Sequence, residues 1–153
     1  NKNKVLVFGN GGSASDAQHL VGELIGRFKI EREGLPAMAL TSDMTTITAV
    51  ANDYGFEKVF ERKIGALTNP KDLVIGITNS GSSPNVLNAL KKAKELGAIT
   101  IGLTGQNSTT LKETTDLCIN VPSTNTPRIQ EAHGLIIHIL CELLEEKLYN
   151  DRL

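Results

Sequence analysis

Five short runs in this chain are almost wholly apolar and are separated by stretches of helical period. No other feature restricts the fold as much. The runs are Val5–Phe8, Ala37–Leu40, Leu73–Ile77, Thr100–Leu103 and Leu117–Val121. A strand with one wet face alternates polar and apolar residues, whereas a strand covered on both faces reads as a continuous apolar run. The intervening helical periods lie at 14–28, 55–67, 84–96, 107–114 and 127–148. Strand and helix in regular alternation predict an α/β fold with a parallel sheet between helices. No repeat, low-complexity tract or long linker divides the 153 residues, so residues 1–153 are expected to form one domain.

Composition excludes several function classes. A formal net charge of -1 and a pI of about 6.3 remove the electrostatic case for a general nucleic-acid or anionic-membrane binder. Aromatic residues are only 4% of the chain and Trp is absent, which argues against a stacking platform for single strands. The longest apolar run, Leu135–Cys141, is interrupted by His138 and is far too short to span a bilayer. Cys118 and Cys141 sit in apolar stretches without metal-ligand spacing and read as reduced core thiols, which suggests the cytoplasm. The chain opens Asn-Lys-Asn-Lys without an initiator Met, so a preceding segment is expected.

In a doubly wound sheet, ligands bind where strands end and helices begin. Two such loops are rich in small polar residues: Gly9-Asn-Gly-Gly-Ser-Ala-Ser-Asp16 and Thr78-Asn-Ser-Gly-Ser-Ser-Pro-Asn85. Read singly, each is an ordinary turn with N-cap residues. Two at one sheet edge point to an anion site of backbone N–H groups and neutral hydroxyls. Neither has the dinucleotide spacing, and no Gly-Lys-Ser/Thr loop is present. The expected ligand is therefore a small phosphorylated molecule.

Two helices carry polar residues away from their apolar stripes. In the first, Ala17, Leu20, Val21, Leu24, Ile25 and Phe28 form a core stripe, with His19 and Glu23 roughly opposite it. Gly22 and Gly26 lie beside that pair and imply the close approach of a partner or ligand. In the last helix the expected stripe is Ile129, Ala132, Ile136, Ile139, Leu140 and Leu143. Gln130, Gly134 and His138 follow another face, the Gln and His about 12 Å apart along the axis. His133, near the stripe, reads as a core or interface histidine. His19, Glu23, Gln130 and His138 together suit either an acid/base pair or an open zinc-type site. A solvated i,i+4 pair is the plain alternative for the first two.

Several longer motifs are more specific. Gly9–His19, Glu23-Leu-Ile-Gly-Arg-Phe28, Asn52-Asp-Tyr-Gly-Phe56, Ser80-Gly-Ser-Ser-Pro-Asn85 and Arg128-Ile-Gln-Glu-Ala-His133 together resemble the phosphoheptose isomerase family of the sugar isomerase (SIS) superfamily. The similarity runs over essentially the whole chain, without the helical segment that precedes the first strand in that family. It implies a three-layer αβα sandwich with a five-stranded, flavodoxin-like parallel sheet. It also implies a homotetramer with active sites between subunits. By motif match, Ser13, Thr78, Asn79, Ser80 and Ser83 hold the sugar phosphate, while Asn10, Gly11, Gly12, Asn52 and Asp53 line the sugar site. Glu23 and His138 match the catalytic pair. His19, Glu23, Gln130 and His138 match zinc ligands, one ion per subunit, with Glu23 and Gln130 also near the substrate. Two positions depart from the family: Thr78-Asn79 stands for a Ser-Thr pair, and Pro127 for an Asp near the substrate in some members.

The implied reaction is ketose–aldose interconversion of sedoheptulose 7-phosphate through an enediol, in heptose and lipopolysaccharide biosynthesis. Such a carbon acid is weak, so a base must meet the carbon and the enediolate oxygens need stabilisation. Rival readings are a SIS-fold binding module that associates with the bacterial replication initiator, and an isomerase or sensor for another phosphosugar. That binding module lacks residues matching Glu23 and His138, and both are present here. No nucleic-acid or membrane partner is expected.

Overall fold

The structure, a computed structural model, describes residues 3–149, so residues 1–2 and 150–153 of the expected domain lie outside the described residues. Five strands, β1 (Val5–Gly9), β2 (Ala37–Ala39), β3 (Leu73–Thr78), β4 (Ile99–Thr104) and β5 (Leu117–Asn120), form one sheet in the order β2-β1-β3-β4-β5. Every pairing is parallel, with Val5 opposite both Ala37 and Leu73, Leu73 opposite Ile99, and Ile101 opposite Leu117. This is the flavodoxin-like order, and its switch point lies between β1 and β3.

Alternate residues of each central strand feed opposite cores, which is why the runs are continuously apolar. Leu6, Phe8 and Val74 join Val59, Phe60, Ile64 and Leu90 on one face. Val7, Ile75 and Ile77 join Leu20, Leu24, Leu103 and Ile137 on the other. The first face is covered by α2 (Met44–Tyr54), α3 (Val59–Leu67), α4 (Pro84–Glu95) and α5 (Thr109–Thr114). The second is covered by α1 (Gly12–Ile25) and α6 (Thr126–Tyr149). The expected three-layer α/β sandwich is present.

Three local expectations change. Helix α2 was not expected, because Thr45, Thr46, Ile47, Thr48 and Val50 are β-branched and weaken helical propensity. It forms because the Asp43 carboxylate accepts from Thr46 N–H at 3.2 Å as an N-cap and because Ile47, Val50 and Ala51 pack on the core. Helix α1 ends at Ile25, so Phe28 lies beyond it in the connection to β2. The third change concerns α6. Its buried residues are Ile129, His133, Ile137, Cys141 and Glu145, whereas Ile139 and Leu143 of the expected stripe are 45% and 56% exposed. The helix is apolar on more than one side, and its inward face carries two ionisable groups that find partners elsewhere in the chain.

Candidate active site

The two small-residue loops meet at the switch point. They line a cavity of about 350 Å³ together with the loops after β4 and β5. Asn10 and Ser13 come from the first loop, and Thr78, Asn79, Ser80 and Ser83 from the second. None of the lining residues is charged. The Thr78 hydroxyl lies 2.8 Å from that of Ser83 and 3.3 Å from that of Ser80, so three hydroxyls converge beside the start of α4. Ser83 occupies the N-cap position of α4 without capping it, leaving its oxygen to this cluster. Gly81 makes the turn possible. Its φ is +69°, and a Cβ there would stand 2.0 Å from the Asn107 carbonyl oxygen.

Asn10 is locked from behind. Its amide donates to Asn85 Oδ1 at 2.9 Å and accepts from Asn85 Nδ2 at 2.8 Å, a reciprocal pair that ties the first loop to α4. Asn85 is buried, and sequence reasoning did not place it at the site. Also missed were Gln106, Asn107, Ser123, Thr124 and Thr126 of the cavity wall. Their one signal was position, since all follow the carboxyl ends of β4 and β5. The buried oxygen of the Asn79 amide has no protein partner, which leaves an acceptor for a hydroxyl or other donor of a ligand. Asn52 and Asp53 do not line this cavity. They sit exposed at the end of α2, where the Asn52 amide donates to Asp53 at 2.8 Å.

Gln130 is close-packed against the first loop. A Cβ on Gly12 would lie 2.3 Å from the Gln130 amide nitrogen, so glycine at 12 is what lets the amide approach the start of α1.

Further along the same two helices, three ionisable side chains converge. His19 Nε2 is 3.2 Å from Glu23 Oε1 and 3.1 Å from His138 Nε2. Donor atoms of all three lie within 4.8 Å of one another. Two donors on one tetrahedral zinc stand about 3.3 Å apart, so this spacing suits a single ion. Two imidazoles and one carboxylate are borderline-soft ligands, and three protein donors leave a position open for substrate. The residues present fit a catalytic zinc. The His19 and His138 rings meet edge to face at 4.9 Å, and the Phe28 ring lies 5.3 Å from that of His138.

Behind the site, His133 is fully buried and bonds the Thr104 carbonyl oxygen through Nε2 at 3.3 Å, while Nδ1 has no partner. It is a core histidine, satisfied on one nitrogen only. Burial pushes its pKa down, against the raising effects of that hydrogen bond and of Asp16. Burial pushes the nearby Asp16 carboxyl up, opposed by His133 and His19. Cys141 is buried with its thiol pushed up to about 11 by burial, then by Glu23 and Glu145, so it is an inert thiol. Both cysteines are free.

The flavodoxin-like sheet with a polar cavity at its switch point defines an α/β ligand-binding fold, and residues 1–105 match the family model of the SIS domain. A phosphoheptose isomerase from Geotalea daltonii is 59% identical over 152 residues, covering 99% of this chain and 79% of that protein. Solved phosphoheptose isomerases from Francisella tularensis and Neisseria gonorrhoeae superpose with TM-scores of 0.90 and 0.89 at 44% and 42% identity. These matches cover 94% and 95% of this chain, and 77% and 78% of theirs. The chain belongs to the phosphoheptose isomerase family, and it is an isomerase.

Proposed function

We propose that this chain interconverts sedoheptulose 7-phosphate and D-glycero-D-manno-heptose 7-phosphate for heptose and glycan biosynthesis. The observation that carries the reading is the pairing, on one α1–α6 surface, of His19, Glu23 and His138 with a neutral phosphate cavity at the adjacent helix start. Ser13, Thr78, Asn79, Ser80 and Ser83 bind the phosphate through neutral donors. Asn10, Gly11, Gly12, Asn52, Asp53 and Gln130 flank the sugar. Holding the phosphate tail fixes where the carbonyl end lies, which converts an encounter into an oriented reaction.

His138 takes the proton from the carbon next to the carbonyl, and Glu23 moves a proton between the two oxygens of the enediol. The proton returns to the neighbouring carbon, so no atom is gained or lost. General acid/base groups of this kind contribute about 10²–10⁴ each. His19, Glu23 and His138 would hold one zinc, and Gln130, packed against Gly12 here, would have to turn toward them to serve as the further ligand that the resemblance implies. When bound, that ion polarises the carbonyl as a Lewis acid.

The relatives reported above carry the isomerase name, which favours the enzyme over a binding module. One continuous sheet with its covering helices supports reading residues 1–153 as one SIS domain. Exposed Ile25 and Met38 beside Gly22, and Leu135, Ile139 and Leu143 on α6, support a homotetramer. Among the described residues no helix is long and apolar enough to cross a membrane. The two free cysteines support a cytoplasmic enzyme. Proton NMR with sedoheptulose 7-phosphate tests the reaction: the aldose anomeric signal should grow, and its absence would refute the substrate. Light scattering tests assembly, a mass near 16.5 kDa counting against a tetramer.

A further inference from the structure

Beneath the His/Glu cluster runs a buried ion pair that nothing in the proposed chemistry uses. Arg32, in the connection from α1 to β2, and Glu145, in the last turns of α6, have side chains only 1% and 2% exposed, with Nε 2.8 Å from Oε1. Both ends also bond main-chain partners. Glu145 accepts from the N–H groups of Phe28, Lys29 and Ile30 at 3.0, 2.8 and 3.0 Å. Arg32 donates to the carbonyl oxygens of Leu24 and Glu23 at 2.9 Å each, and to that of Glu33 at 3.1 Å. The pair therefore grips the end of α1 at Glu23 itself, and it pins Phe28 to α6. The Phe28 ring in turn stands against His138. Burial opposes the charge on Glu145, yet the three N–H groups and the guanidinium hold its pKa at about 2, so the grip stays ionised.

We propose that Arg32 and Glu145 are positioning residues for the isomerisation, holding the Glu23 backbone and the Phe28–His138 contact so that Glu23 and His138 stay at working distance. The inference rests on the function proposed above. A bare hydrophobic connection would close the loop equally well, but it would fix neither the carbonyl of Glu23 nor the ring beside His138. The fork geometry of Arg matters here, because Lys has one compact ammonium and cannot serve Glu145, Glu23 and Leu24 together.

The test uses the chain with Arg32→Lys and, separately, Phe28→Leu, which leaves the ion pair untouched. Wild-type turnover of sedoheptulose 7-phosphate is measured first; its absence strikes the proposed function and not the clamp. The clamp predicts that kcat falls about tenfold or more in Arg32→Lys and about threefold in Phe28→Leu, with KM within twofold, because the phosphate cavity is untouched. Zn²⁺ titration against a chromogenic chelator separates positioning from mere loss of folded protein. Positioning keeps the binding stoichiometry and weakens the affinity. Partial unfolding lowers the stoichiometry and leaves the affinity alone. Should Arg32→Lys fail to fold, Phe28→Leu decides. Should wild type take up no Zn²⁺, kcat per folded molecule, from melts well above assay temperature, decides. Folded variants with kcat and Zn²⁺ affinity within twofold of wild type overturn the proposal.

Discussion

The two halves of the site are built from different materials. The proposed phosphate half is neutral, made of hydroxyls, amides and main-chain groups from the ends of strands and the loops that follow them. The His/Glu half is ionisable, drawn from helices whose meeting residues His19 and His138 are 119 positions apart. The contrast follows from what each half is proposed to do. A phosphate dianion brings its own charge, and fixed small dipoles suffice to hold it. Proton transfer needs groups whose proton affinity can be tuned and whose spacing is set by packing.

That comparison is open to direct attack. The largest effect should come from Glu23→Gln: turnover should fall by about 10²–10⁴ even in molecules that retain metal, with KM little changed. His19→Ala should regain part of its activity at high Zn²⁺, since it loses a ligand and no proton-transfer group. Near-normal turnover by Glu23→Gln would erase the distinction between the halves. Next, the Ser80→Ala, Ser83→Ala double variant should remain folded and raise KM by about two orders of magnitude or more. A hydrogen bond to a charged group is worth about 1.5–3 kcal/mol. An unchanged KM would remove the phosphate assignment.

Acid should act unevenly on the two halves. Glu145 titrates at about 2 in the fold against 4.5 unfolded, so its stabilisation is complete above pH 4.5 and is lost as pH falls toward 2. His133 is held below its usual 6.5, so it too costs stability as pH falls through that value, where the unfolded chain binds the proton first. Hydrogen-exchange protection, corrected for the intrinsic rate, should therefore fall at pH 4 and below at the amides of Phe28, Lys29 and Ile30 before those of the loop around Ser80. A uniform loss of protection would contradict the expectation. The smallest effect concerns salt. With no cationic side chain lining the cavity, raising ionic strength to 1 M should change KM by less than about twofold, whereas a lysine-lined site would weaken markedly.

The sheet could be read from the sequence because strands buried on both faces advertise themselves over four or five consecutive residues, as Leu73–Ile77 does. The loops after β1 and β3 were equally legible, because two runs of small polar residues follow strands that meet at one sheet edge. The walls after β4 and β5 were not. Gln106, Asn107, Ser123 and Thr124 resemble any surface loop until the topology brings them to one edge. Helix α6 misled for a deeper reason. Its inward face carries Glu145, which looks like a solvent residue until the Phe28–Ile30 N–H groups are seen to receive it, beside His133, expected near the core, whose partner is the Thr104 carbonyl. Those partners lie 29 and more than 110 residues away, beyond the reach of any helical periodicity.

The Asn10–Asn85 pair also sets a chemical clock on the enzyme. Two carboxamides facing one another match donor to acceptor twice. Hydrolysis of either amide to an acid would turn one of those contacts into oxygen against oxygen, with a negative charge beside the cavity proposed to take the phosphate. Asn10 is the vulnerable member, since it precedes Gly11, whose lack of a side chain leaves its N–H free to attack the neighbouring amide carbon. The pairing holds that carboxamide toward α4. Old preparations should therefore lose affinity for substrate in step with deamidation at Asn10, read by peptide mass spectrometry. Asn85→Ala should hasten both.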